Sequence, residues 1–238
     1  MKTRNERRTL AVLILLSLIA CLSILALSVY PLNIPETAIW QRQLIASVFV
    51  AICFTGGLAA LFPRKCSATF ETHGFQSSLE RENNNSGLLI RGHHPVCERY
   101  SKHIILLGKT TYCSACLGLF SGAILGSIIT AGYFLLEAQS RGFDFPLAIL
   151  GQGFLVMGFL QFKLKGQPRL FANIVLVVGA SLSLVGMDEQ MKNVFVDLLV
   201  TGAAPVWISA RISISQWDHS RICSSCGLTC RAERKRLV

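Results

Sequence analysis

Four residues have the types and the spacing of a tetrahedral zinc site. His94 and Cys97 flank two residues, Cys113 and Cys116 flank another two, and fifteen residues separate the pairs. Each short turn can aim its two ligands at one point, and a hairpin between the turns would bring both pairs to one ion. The sequence therefore predicts zinc held by three thiolates and an imidazole nitrogen of His94. Two further histidines are alternatives for the fourth ligand, or hydrogen-bond partners of the ligands: His93 and His103.

The C-terminal tail carries a second group of cysteines. Cys223 and Cys226 flank two residues, Gly227 follows directly, and His219 and Cys230 stand close by in the sequence. Such a knuckle can close its own zinc site with His219 and Cys230, or it can complete a site that the earlier Cys-x2-Cys pair begins. The sequence leaves both arrangements open. An iron–sulfur cluster is an alternative for so many thiolates, although the spacing matches neither ferredoxin pattern.

Cys113 and Cys116 also allow redox chemistry, because they stand where an apolar span begins. The N-terminus of a helix stabilises a thiolate, so the pair could exchange electrons with cytosolic partners or with quinone. A membrane thiol-redox enzyme ranks second, because a dithiol that serves quinone generally lies on the oxidising side of the membrane. Hydrolysis is disfavoured, since four protein ligands leave zinc no open position for water.

A small-solute transporter is the other alternative. Transport generally needs ionisable groups within the membrane, and Asp197 is the acidic candidate, near one end of the last apolar span. If Asp197 faces a cavity, the amides of Gln152 and Asn173 are its candidate partners. A tightly packed helix bundle explains the same spans more simply, so transport ranks below the zinc site.

These residues must be positioned by membrane helices. Hydrophobic residues make up 52% of the 238 positions and charged residues only 15%, a balance too apolar for an ordinary soluble domain. Six stretches are long enough to cross roughly 30 Å of hydrocarbon. They cover approximately residues 10–30, 44–62, 114–136, 145–162, 170–187 and 194–210. Along the third span, Gly118, Gly122 and Gly126 form a stripe that predicts close packing against a neighbouring helix.

The distribution of charge predicts the orientation. With six spans, all but three of the 23 Lys and Arg residues fall on one side of the membrane, the exceptions being Arg42, Arg141 and Lys192. The positive-inside rule places that side, with both termini, in the cytoplasm, and we expect a plasma-membrane protein. Anionic lipid head groups then explain the net charge of +10 without nucleic acid. Cytosolic thiols stay reduced, which favours metal sites over disulfides.

Composition divides the chain into five parts. The long polar segment before the third span begins with an Asn- and Ser-rich stretch that predicts a flexible linker. It ends with two β-prone arms about Gly108 and Lys109 that predict a hairpin. The predicted parts are a two-helix transmembrane hairpin at 1–62, a flexible cytosolic linker at 63–90, a metal-binding hairpin at 91–116, a four-helix membrane region at 117–210 and a Cys-rich basic tail at 211–238.

The metal-binding hairpin resembles a family of small bacterial and archaeal membrane proteins that is defined only as a domain of unknown function. Members typically carry a Cys- or His-containing motif followed by Glu-Arg-aromatic/Ser, then a Cys-x2-Cys-x-Gly run leading into a transmembrane helix. The matching stretches here are HHPVCERYS at 93–101 and YCSACLGL at 112–119. The resemblance implies a multi-pass membrane protein with a thiolate-rich cytosolic site, and it implies no particular activity. This chain differs in its longer stretch between the motif halves and in its Cys-rich tail.

Together these features predict an all-α integral membrane protein with about six transmembrane helices and a small cytosolic zinc-binding hairpin. The zinc would order a docking surface for a cytosolic or membrane protein partner, because the bundle lacks convincing catalytic or transport groups. The lipid bilayer and its anionic head groups are the other expected partners. Nucleic acid is not expected, and a homo-oligomer is a further alternative.

Overall fold

Six long helices make up most of the structure. The computed structural model describes residues 4–61, 89–91, 104–107, 110–136 and 144–224. The helices are α1 Arg4–Val29, α2 Ile39–Leu61, α3 Ser114–Leu136, α4 Asp144–Phe159, α5 Gln167–Met191 and α6 Val194–Ser224, and a 3₁₀ turn at Leu160–Lys163 continues α4. Each of the six contains a stretch long and apolar enough to cross a membrane. By length and composition, the predicted multi-pass α-helical membrane protein is therefore confirmed.

Helix α5 lies at the centre of the bundle. It packs along α3 and α4 and also contacts α1 and α6, and Leu176 and Leu184 are among its many buried side chains. Helix α1 lies at the outside, where Leu15, Leu18 and Leu22 are exposed. Exposed leucines on a membrane helix are expected to contact lipid, which is as apolar as they are.

The glycine stripe of α3 packs against α5. A Cβ added at Gly122 would lie 2.9 Å from the carbonyl oxygen of Ile174, and one added at Gly126 would lie 2.5 Å from Ser181 Oγ. Gly118 approaches the backbone of Leu170 in the same way. The predicted close packing is thus confirmed, because only a residue without a side chain lets the two backbones come so near.

A three-stranded sheet precedes α3. Its strands are β1 Leu89–Arg91, β2 Ile104–Leu107 and β3 Thr110–Cys113, with β3 in the middle. Strands β2 and β3 are antiparallel, which confirms the predicted hairpin, and β1 runs parallel to β3. The predicted linker at 63–90 is wrong at its end, where β1 begins; the rest of the linker up to residue 88 lies outside the described residues. A strand as short as β1 is stabilised by its pairing with β3. The residues of β1 alone therefore do not predict a strand.

Helices α5 and α6 continue beyond the C-terminal ends of their predicted spans. Helix α5 continues from residue 187 to Met191, and α6 continues from residue 210 to Ser224. The added turns carry charged side chains that are buried, Asp188 in α5 and Arg211 and Asp218 in α6. The predicted boundary between membrane region and tail at residue 210 is therefore wrong, because a hydropathy scan stops at charges that neighbouring helices here enclose.

Candidate functional site

Cys113 and Cys116 lie where the sheet meets the helix bundle. Cys113 is the last residue of β3, and Cys116 is in the first turn of α3, which begins at Ser114. Both residues are half-buried, and no disulfide joins them. The N–H groups of a helix's first turn lack partners within the helix, so they favour a thiolate beside them. The pair therefore has the setting of metal ligands or reactive thiols.

A buried arginine lies beside these thiols. The guanidinium of Arg211, on α6, donates from Nε to Asn173 Oδ1 at 2.9 Å and from Nη2 to Gln161 Oε1 at 3.3 Å. Both acceptors are neutral amides, and within the described part of the chain no carboxylate pairs with Arg211. Cys116 and Cys113 lie within electrostatic range of its charge. As thiolates, they would provide the negative charge that a buried guanidinium needs.

A second buried arginine adds to the positive charge. Arg169, near the start of α5, donates from Nη2 to Ser215 Oγ at 3.3 Å, and its Nη1 lies 3.8 Å from Asp218 Oδ2. Arg169 also lies within electrostatic range of Arg211. Asp218 can balance one of the two guanidinium charges, so a second negative charge is needed nearby. We call this group of residues the arginine–thiol cluster: Cys113, Cys116, Arg169 and Arg211.

The strand register shows at which edge of the sheet the connection between β1 and β2 begins and ends. Arg91, the last residue of β1, stands opposite Tyr112, and Ile104, the first residue of β2, stands opposite Cys113. The connection between β1 and β2 therefore leaves the sheet and returns to it at the end where Cys113 lies. His94 follows Arg91 by three residues, a reach of about 10 Å in an extended chain.

The other predicted metal ligands lie at or beyond the edge of the described structure. Four fall outside the described residues: His94, Cys97, Cys226 and Cys230. The alternatives His93 and His103 do so too. His219 and Cys223 stand one turn apart near the end of α6. Among the residues that the structure describes, no group of three or more His, Cys, Asp or Glu could hold a metal ion. The zinc and iron–sulfur sites therefore stay predictions.

A second polar cluster lies at the opposite end of the bundle, where α3 and α5 end and α2 and α6 begin. Arg42 of α2 donates from Nε to Asp188 Oδ1 and from Nη2 to Asp188 Oδ2, both at 2.6 Å. Tyr133 Oη of α3 lies 2.8 Å from Asp188 Oδ2 and 2.6 Å from Glu189 Oε2. This two-pronged ion pair and the shared hydroxyl tie three helices together.

Asp197, the predicted intramembrane acid, belongs to the same end. It lies in the first turn of α6 and is 0% exposed. In the part of the chain that the structure describes, no N–H or hydroxyl group donates to its carboxyl oxygens. The Asp188 carboxyl group lies within hydrogen-bonding range and Arg42 within electrostatic range. We call this group of residues the carboxyl cluster: Arg42, Tyr133, Asp188, Glu189 and Asp197.

The structure does not bring Gln152 and Asn173 to Asp197. Gln152 Nε2 donates to Ser183 Oγ at 3.0 Å, which joins α4 to α5. Asn173 accepts from Arg211 in the arginine–thiol cluster. The three polar residues predicted within the membrane thus occupy separate places, and the neighbours of Asp197 are charged side chains instead.

Sequence reasoning missed most of both clusters. Arg42 was noted only as one of three basic residues on its side of the membrane, and Asp188, which directly follows the predicted span at 170–187, was not considered. The pairing could have been predicted from their opposite charges, because both residues stand near the ends of predicted spans on the same side of the membrane. Arg169 and Arg211 counted only toward the orientation, because a lone arginine near a span end usually reaches the interface.

Comparisons with protein-family models, with curated proteins and with solved structures give no match to this chain. The resemblance to a domain of unknown function accordingly stays a prediction. Function is inferred from the chemistry of the two clusters.

Proposed function

We propose that this chain is a membrane protein whose zinc site, at the junction of the sheet and α3, orders a docking surface for a protein partner. Cys113 and Cys116 would supply two thiolates, and Cys97 and His94 would complete the four ligands. The strand register carries the proposal, because β1 ends opposite Tyr112 and β2 begins opposite Cys113, so the chain leaves β1 and enters β2 at the edge of the sheet that holds Cys113. Zinc binding would contribute folding free energy to that connection, which is otherwise too short to form a core of its own.

The charge of Arg211 supports a thiolate-bound metal. Three thiolates, a neutral imidazole and Zn²⁺ together carry one net negative charge. Arg211 is buried and hydrogen-bonded to neutral amide oxygens, so it complements such a centre electrostatically. Attraction between the two would hold α6 against the beginning of α3.

The length of α6 favours a second site in the tail over a shared one. Cys223 follows Arg211 by twelve residues on the same continuous helix, which is about 18 Å along the axis. The tail cysteines therefore start well beyond the level at which Arg211 meets the thiols of the first site. We propose that the tail ligands close their own zinc site: His219, Cys223, Cys226 and Cys230.

The orientation follows the Lys and Arg distribution. We propose that both termini, the sheet and the arginine–thiol cluster face the cytoplasm, and that the protein lies in the plasma membrane, because all but three of the 23 basic residues fall on that side. A docking surface there would present zinc-ordered backbone next to anionic lipid head groups.

Metal analysis tests the zinc proposal. The protein is purified anaerobically in mild detergent, and zinc and iron are measured per chain in the wild type, Cys116→Ser and Cys226→Ser. Cys53→Ser is the control, because Cys53 is a buried thiol within α2. We expect two zinc ions, one lost in each of the first two variants and none in the control. One zinc lost in both variants would indicate a shared site, and a wild type without metal would overturn the proposal.

The docking surface has a separate test. After chelation, limited proteolysis should cut within residues 92–103, while circular dichroism should show the spans still helical. Unchanged protease resistance in that connection would contradict the ordering role. Binding of a partner should then be lost together with the metal.

A thiol-redox enzyme is the second candidate, because Arg211 lies within electrostatic range of both Cys113 and Cys116 and would favour their thiolates in the absence of metal too. If the protein is a thiol-redox enzyme, we expect no bound zinc. A free-thiol count should then show that a Cys113–Cys116 disulfide forms and is reduced reversibly. Zinc bound at these thiols would exclude it.

A further inference from the structure

Asp197 is a buried acid that the zinc proposal does not use. Its side chain is 0% exposed, and among the described residues no N–H or hydroxyl group donates a hydrogen bond to either carboxyl oxygen. A charged carboxylate in this setting would have lost its water without gaining a donor, which is so unfavourable that such groups usually become neutral. Ionisable residues within membrane spans commonly mark ion or proton pathways.

Among the described residues, the helices around Asp197 provide no positive charge that is not already paired with another acid. Helix α2 provides Arg42, but both Nε and Nη2 of Arg42 are engaged by Asp188 of α5. Helix α1 has no charged residue within 10–29. Helix α3 provides Tyr133, whose hydroxyl is turned to α5. One guanidinium thus faces two aspartates, and only one of them is paired with it.

Tyr133 bridges two carboxyl groups. Its hydroxyl oxygen lies 2.8 Å from Asp188 Oδ2 and 2.6 Å from Glu189 Oε2. A phenol hydroxyl can donate one hydrogen bond and accept another. A proton that Glu189 takes up from water can therefore pass to Tyr133 while the phenol proton moves to Asp188.

We propose that the carboxyl cluster is a proton-binding site, in which Asp197 is a neutral carboxylic acid and the chain Glu189, Tyr133 and Asp188 exchanges its proton with solvent. A proton fits better than a metal ion, because both Asp197 oxygens are enclosed by protein atoms and the nearby guanidinium repels cations. Glu189 is only half-buried, which gives the chain an end that water can reach.

Each exchange moves one proton and no electrons. When Asp197 has lost its proton, water delivers a proton to Glu189, Glu189 donates to Tyr133 Oη, and Tyr133 passes its own proton to Asp188. The Asp188 carboxyl group lies within hydrogen-bonding range of Asp197, so it passes the proton on to Asp197. The reverse sequence returns the proton to water.

Infrared spectroscopy of the protein in lipid vesicles at neutral pH tests the proposal. A protonated carboxyl group has a carbonyl stretch that a carboxylate lacks and that shifts in D₂O. We expect this band in the wild type, its reduction in Asp197→Asn, and no change in Glu36→Gln, which alters an exposed acid in the connection between α1 and α2. A wild type without the band, or a band unchanged in Asp197→Asn, would overturn the proposal. If Asp197→Asn does not fold, Asp197→Glu must shift the band, and an unshifted band is equally negative.

The relay has its own readout. Tyr133→Phe should keep the acid band but slow its exchange in D₂O, because the phenol that links Glu189 to Asp188 is gone. Tyr30→Phe is the control, since Tyr30 is exposed just beyond the end of α1. Equal exchange rates in the two variants would refute the relay. These spectra and the metal analysis report on different residues, so either proposal can fail while the other holds.

Discussion

Helices α4 and α5 approach so closely at Gly151 that one methyl group cannot be added without moving a helix. A Cβ there would lie 2.5 Å from Ser183 Oγ, 2.6 Å from the Ser183 backbone nitrogen and 2.7 Å from the carbonyl oxygen of Gly179. Favourable contacts between non-bonded atoms begin near 3.5 Å, so Gly151→Ala requires the helices to separate by about 1 Å. The separation would also stretch the hydrogen bond from Gln152 Nε2 to Ser183 Oγ, now 3.0 Å.

The cost can be isolated with a matched variant of the same helix. Overpacking of this kind destabilises by about 1–3 kcal/mol, and the higher helix propensity of alanine opposes it by up to about 1 kcal/mol. Gly153→Ala gains the same propensity without a clash, because nothing lies within 4 Å of a Cβ at Gly153. We therefore expect the free energy of unfolding of Gly151→Ala to be about 1–3 kcal/mol lower than that of Gly153→Ala.

Reversible unfolding in mixed micelles measures this difference. The fluorescence of Trp207, which is buried in α6, would be followed together with the helical signal in circular dichroism. Gly179→Ala should behave like Gly151→Ala, because its Cβ would lie 2.7 Å from the carbonyl oxygen of Gly151. Equal stability of Gly151→Ala and Gly153→Ala would show that α4 and α5 do not pack as described.

The remaining predictions concern the two clusters. Arg42→Met and Asp188→Leu should each lower the free energy of unfolding by about 3–5 kcal/mol, because each leaves a buried charge unpaired, and the double variant should recover most of the loss; additive losses in the same unfolding assay would contradict the pairing. Arg211→Met should weaken zinc binding about 10–100-fold in equilibrium dialysis, and unchanged affinity would separate this arginine from the metal. Asn173→Leu should destabilise by about 1–3 kcal/mol, because the Nε of Arg211 loses its acceptor; a neutral effect in thermal unfolding would argue against that hydrogen bond.

Local patterns predicted the elements whose stabilising interactions are near in sequence. Spans depend on the hydropathy of about twenty consecutive residues, and the β2–β3 hairpin was predicted from two β-prone arms close together in the sequence. Strand β1 could not be predicted, because its partner β3 comes later in the chain, after the connection at 92–103 and strand β2. The ends of α5 and α6 could not be predicted either, because Asp188 and Arg211 resemble interface residues to a hydropathy scan.

The sequence by itself determined that the chain has six stretches long and apolar enough to cross a membrane, and that it carries paired Cys and His residues with the spacing of zinc ligands. Span length and ligand spacing are local properties of the sequence. Only the tertiary structure decided that Arg42 pairs with Asp188, 146 residues away, and that Arg211 lies within electrostatic range of Cys113 and Cys116. A charge near the end of a span can reach water or be enclosed by protein. Which of these occurs depends on where the neighbouring helices lie, and that is a property of the packed bundle.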